Sequence, residues 1–222
     1  MMMSEGSRVR RLLYSILVPP LAIFPAGVTL FLLGVDVWII KDVWYLSIFA
    51  SCVVLTLRDG VPLSQIGLST RGIGLSLLLA SVWELVTFLF LGLIPIFAIR
   101  GRLPTLVPLK ASMIASVLHF VLVGAAEETW VRGLLLNRLR EWRPGGSAAV
   151  LWSSTIFVVF HVPAAVPIVV QDVSLIPGLA WSWSTLFVWS AGLAVIRVKT
   201  GNLIGPIVIH GLDDVISKVL LQ

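Results

Sequence analysis

Seven stretches of this sequence are apolar over lengths close to the 17–25 residues that a helix needs to cross a bilayer. They run over 12–34, 43–57, 73–99, 111–136, 148–170, 178–197 and 202–221. The second is short, and the third is long and contains Pro95, which predicts a bend or an interfacial segment near its end. Hydrophobic residues make up 58% of the chain and charged residues 12%, about half the charged share of a soluble domain. A soluble core of this size cannot hide that much apolar surface, so lipid must be the solvent for much of the chain. The expected fold is all-α: a polytopic transmembrane helical bundle of about seven spans, in a single membrane-embedded domain over residues 1–222.

Arg8, Arg10 and Arg11 precede the first apolar stretch as the basic region of a signal peptide does. That stretch is too long for an ordinary signal core and no small-residue cleavage site follows it. It reads as a retained span, kinked at Pro19-Pro20 and Pro25. The single cysteine, Cys52, cannot form an internal disulfide.

The net charge of +5 raises the question of an acidic partner, but the cations cluster in the short loops. One set of alternate loops holds Arg8, Arg10, Arg11, Arg58, Arg71, Arg138, Arg140, Arg143, Arg197 and Lys199. The other holds Lys41, Arg100, Arg102 and Lys110. This is the positive-inside pattern, and it predicts a multi-pass protein, of the plasma membrane, with a cytoplasmic N terminus and no nucleic-acid partner. Arg143-Pro144-Gly145-Gly146 reads as the turn between the fourth and fifth spans. No loop is long enough to house a soluble catalytic domain.

Within the spans stand groups that are costly there. His119, Glu127, Glu128 and Arg132 fall in the fourth, His161 in the fifth, and His210, Asp213 and Asp214 in the seventh, with Glu84 in the third. Each ionised Asp, Lys or Arg at a helix centre costs about 2.5–3.5 kcal/mol on insertion scales. Glu128 and Arg132 are one turn apart and can pair on one face. Glu127 projects about 100° away from Glu128, toward a different neighbour. At about 1.5 Å per residue, Glu127, His161 and His210 lie roughly 15, 20 and 12 Å from the proposed cytoplasmic helix ends. Three helices thus bring an acid and two imidazoles to a similar level, with Asp214 on the face of His210. A carboxylate and a histidine around one water supply a general base and then a proton donor, and a second histidine can steady an oxyanion. Water-assisted amide hydrolysis fits these residues, and no serine or cysteine stands in a comparable motif.

Those residues also read E-E-x-x-x-R at Glu127–Arg132, F-x-x-x-H at Phe157–His161 and H-x-x-x-D at His210–Asp214. In order, spacing and context they resemble the CPBP (CAAX protease and bacteriocin-processing) family of intramembrane proteases, which includes the type II CAAX prenyl endopeptidases. Gln65-Ile66-Gly67-Leu68 and Lys199-Thr200-Gly201-Asn202-Leu203 agree with it, and the resemblance covers about residues 63–215. It implies a glutamate-type endopeptidase acting on a membrane-associated protein or peptide, prenylated CAAX proteins being one such class. Glu127 and His161 would activate water, His210 and Asp214 would serve the oxyanion, and Glu128 and Arg132 would support them. Asp214 stands where Asn is commoner, and an ionised Asp cannot donate to an oxyanion. It must be protonated, orient His210, or bind a metal.

Two alternatives remain open at this level. Glu127, His161 and His210 are also a plausible zinc set, although the metal-free site, with no cofactor, is preferred. Intramembrane acids and histidines also build proton relays, so a transporter or a non-catalytic immunity factor is the further alternative. His119, without a motif partner, and Glu84 read as structural, Asp213 as facing away from the site, and the tryptophans as anchors and packing.

Overall fold

In a computed structural model the chain is described over residues 5–21, 24–105, 107–108, 110, 113–142, 146–172 and 175–217. These residues form ten α-helices: α1 (Glu5–Leu21), α2 (Phe24–Leu32), α3 (Val37–Arg58), α4 (Ile73–Thr87), α5 (Ile94–Arg100), α6 (Ile114–Glu128), α7 (Leu136–Trp142), α8 (Gly146–Gln171), α9 (Ile176–Thr200) and α10 (Ile204–Val215). Among the described residues there is no strand. Five helical stretches are long and apolar enough to cross a membrane: Val37–Arg58, Ile73–Ile99, Ile114–Trp142, Gly146–Pro163 and Ile176–Thr200. With large apolar side chains such as Leu46, Val54, Leu78, Leu85, Leu118 and Trp152 exposed on their outer faces, they make this an integral membrane protein.

The five stretches correspond to the second to sixth of the seven expected spans. The first expected span is described as α1 and α2, with residues 22–23 between them outside the described set. The last is described only through Ser217, so its final residues lie outside the described set, as does the turn at 143–145. The second span is longer than its apolar core, because Asp36 caps α3 by accepting from the Trp38 amide at 2.7 Å. The third does not break at Pro95. A π-helical stretch, Phe88–Leu93, precedes the proline and absorbs its missing N–H, so the helix continues to Arg100.

The fourth span is the axis of the bundle. Between α6 and α7 it passes through a second π-helical stretch, Thr129–Leu135, in which every residue is buried. A helix buried on all sides has neighbours all round, here α1, α3, α8, α9 and α10. The closest approach is made by small residues, as expected where lipid gives helices no hydrophobic reason to associate. A Cβ on Gly124 would lie 2.8 Å from the Gly211 nitrogen, and one on Gly205 would lie 2.4 Å from Ser76. Only glycines let α10 lie against both α6 and α4.

The loop-borne cations gather at one end. Arg138 binds Asp59 at 2.5 Å and Glu141 at 2.9 Å, Arg11 lies 3.6 Å from Asp59, and Arg8 donates to the Glu141 carbonyl. Both minor sequence features do structural work at this end. The Gln65 carbonyl accepts from Asn137 and Arg197, each at 2.6 Å. Asn202 donates to the Ser69 and Arg71 carbonyls and accepts from the Ile204 amide, which fixes the start of α10.

Candidate active site

Because α6 enters from one end of the bundle and α8 and α10 from the other, the three polar motifs meet near mid-depth. Glu127, His161, His210, Asp213 and Asp214 line one cavity of about 740 Å3, together with Tyr45, Glu84 and Trp189. The cavity runs past Leu93, Ile96, Pro104, Ser182 and Ser217. Those residues lie toward the end opposite the cation cluster.

His210 is the most constrained group. Its Nδ1 donates to Glu128 Oε1 at 2.8 Å, because a carboxylate only accepts. Its Nε2 faces Glu127 Oε2 at 3.7 Å and Asp214 Oδ2 at 4.0 Å. The two adjacent glutamates therefore flank one imidazole, rather than facing separate neighbours. Glu128 is fully buried and pairs with Arg132 Nη1 at 2.8 Å, as the one-turn spacing predicts. Arg132, itself fully buried, also donates to Ser190 Oγ at 2.8 Å and lies 4.3 Å from the Phe157 ring centroid. An isolated buried charge is prohibitive, and a buried pair with added donors is tolerated.

The F-x-x-x-H motif works through both its ends. His161 Nδ1 donates to the Phe157 carbonyl at 2.8 Å, which leaves Nε2 as the basic nitrogen. The Phe157 ring packs on His161 at 4.6 Å and edge-on to His210 at 6.2 Å. One buried phenylalanine thus spaces both histidines and covers Arg132.

Other expectations change. His119 has a partner, Asp42, 2.5 Å from its Nδ1. Glu84 Oε2 accepts from Trp189 Nε1 at 2.8 Å, and Glu84 and Asp213 line the same cavity. Asp213 therefore faces the cavity and not away from it. Trp189, read as an anchor, also packs edge-on against His210 at 4.9 Å. Nothing in its sequence context separates it from the other tryptophans. Tyr45 was missed because its helix carries no motif. Among the described residues no three His, Cys, Asp or Glu side chains are grouped to hold one metal ion.

Residues 109–216 match the family model described as type II CAAX prenyl endopeptidase Rce1-like. The matched segment carries the candidate site. It is just under half of the chain, and it contains all three motifs. The Rce1-like segment starts well after Gln65, so the match is narrower at its N-terminal side than the resemblance seen in the motifs. No curated protein and no solved structure gives a match. Of the cavity-lining side chains, Tyr45, Glu84 and the π-helical wall of α4 and α5 fall outside the Rce1-like segment.

Proposed function

We propose that this protein is an intramembrane endopeptidase of glutamate type, hydrolysing a peptide bond of a membrane-associated substrate. The observation that carries the proposal is the meeting of Glu127, His161 and His210, from three helices, on the wall of one cavity. The Rce1-like match supports the same reaction class.

In this reading Glu127, with His161 Nε2, takes a proton from water as the oxygen attacks the carbonyl carbon. His210 Nε2 faces the space in which the oxyanion forms. His210 donates from Nε2 as an imidazolium, its Nδ1–H held by Glu128 and its charge balanced by the surrounding carboxylates, so the donor is oriented before the substrate arrives. Collapse of the tetrahedral intermediate breaks the C–N bond, and the proton held by Glu127 or His161 passes to the leaving amine. Asp214, one turn beyond His210, acts by facing the imidazole. The far part of the cavity is walled by Phe88, Leu91, Leu93 and Ile96, which suits an apolar substrate portion such as a prenylated chain end. In the membrane, the cation-rich end is placed at the cytoplasmic side, with α1–α2 and α10 completing a seven-span bundle.

Peptide cleavage by the purified protein in lipid nanodiscs tests this, using C-terminal and membrane-proximal peptides with and without a prenyl group. Wild type should cleave, and Glu127→Ala and His161→Ala should fold and not cleave. Undiminished cleavage by both variants would sink the mechanism.

A further inference from the structure

The bond from His210 Nδ1 to Glu128 fixes one point of the imidazole and not the tilt of its plane. The tilt decides where the Nε2–H points. Two rings stand nearly perpendicular to that plane and limit it: Trp189, with its centroid 4.9 Å away at 83°, and Phe157, 6.2 Å away at 87°. Trp189 is the nearer and the larger. Unlike Phe157, it also carries a polar atom through which its own orientation can be set.

That atom is held from α4. Trp189 Nε1 donates to Glu84 Oε2 at 2.8 Å, and Trp83 Nε1 donates to the Trp189 carbonyl at 3.1 Å. Adjacent residues of α4 thus hold the side chain and the backbone of one α9 residue. The approach requires a glycine, since a Cβ on Gly192 would lie 2.0 Å from the Trp83 ring. Inside a membrane an indole N–H has no water to turn to, so its direction follows its acceptor. The next residue along α9, Ser190, accepts from Arg132, which pairs with Glu128. α9 therefore reaches His210 twice, on the ring through Trp189 and at Nδ1 through Ser190, Arg132 and Glu128. Trp83 and Glu84 precede residues 109–216, so the clamp on Trp189 comes from outside the Rce1-like segment.

We propose that Trp189 is a positioning residue for His210, setting the tilt of the imidazole and so the direction of Nε2, and that Glu84 acts through it by fixing the indole. The effect on rate rests on the endopeptidase reading; the hold on the ring does not. Misplacing a reacting group by about 1 Å costs on the order of 100-fold. Glu84→Met, which removes the acceptor at similar length, should lower kcat by about 10- to 100-fold. Glu84→Gln keeps an acceptor and removes the charge, and should recover most of that rate, which an amide could not do for a proton-transferring acid. Benzothienylalanine in place of Trp189 keeps the bicyclic ring and removes the N–H. It should lose as much as Glu84→Met, and the two changes together should lose no more than either alone.

The test uses full-length protein in nanodiscs, with isotope-labelled histidine for NMR. The chain has three histidines, and His210→Gln identifies the ring signals of the third. Glu84→Met and the benzothienylalanine protein should both shift the His210 signals and leave those of His161 in place, while Glu84→Gln stays close to wild type. His210 signals unmoved in both acceptor-less and donor-less proteins overturn the proposal. So does an equal shift in Glu84→Gln and Glu84→Met, which would make the effect one of charge, and so does an unchanged kcat in Glu84→Met. If wild type cleaves no peptide, the endopeptidase reading fails, while the NMR result still decides whether Glu84 and Trp189 hold His210.

Discussion

Glu128, and not the adjacent Glu127, holds the His210 imidazole: its Oε1 lies 2.8 Å from Nδ1, while Glu127 stands 3.7 Å from Nε2. The paired glutamates thus divide the work. One is locked between an arginine and a histidine, and the other is left facing the cavity.

Glu128→Gln should leave the Arg132 guanidinium buried without a counter-charge. Removing one partner of a buried pair costs about 3–5 kcal/mol, so the unfolding midpoint in detergent should fall clearly. The double variant Glu128→Gln/Arg132→Met should regain much of that stability and remain inactive, because His210 is still unfixed. Recovery of cleavage in the double variant would contradict the role given to Glu128.

Glu127→Gln should behave in the opposite way. It leaves the Glu128–Arg132–His210 chain intact, so stability should change by less than about 1 kcal/mol. Cleavage should fall by at least about 100-fold, the usual scale for loss of a general base. Thermal unfolding and peptide hydrolysis on one preparation check both halves.

Gly124→Val should separate α6 from α10, since a Cβ there meets the Gly211 backbone at 2.8 Å. Overpacking of a tight contact costs about 1–3 kcal/mol, and the displacement carries His210 away from both glutamates. Gly146→Ala, where a Cβ meets nothing within 4 Å, is the matched control and should leave activity unchanged.

Asp42→Ala removes the acceptor of a histidine that is 7% exposed. Side-chain hydrogen bonds between membrane helices average about 0.6 kcal/mol, so the loss of stability should be small. Because His119 lies on α6, about two turns before Glu127, turnover should drop by more than that stability loss implies. Equal, minor losses of both would make the pair a simple packing contact.

The three motifs were legible because each lies on one helix, where a one-turn spacing fixes which side chains share a face. Glu128–Arg132 and His161–Phe157 could be read this way. Relations between helices could not. That Asp213 joins Glu84 beside Trp189 depends on how α4, α9 and α10 are rotated, and hydropathy carries no such information. Tyr45 was hidden for the same reason, sitting in an apolar helix without a motif. An apolar run does not say whether a helix continues past a proline. At Pro95 the π-helical turn carried the helix through.

The one-turn placement of Glu128 and Arg132 has a consequence for biogenesis. A charge whose partner sits on another helix must enter the bilayer alone and wait. Here both signs travel on one nascent segment and can neutralise each other as soon as that turn forms. The helix that later anchors the whole bundle can therefore leave the translocation machinery as a self-compensated unit, before α8, α9 or α10 has been synthesised.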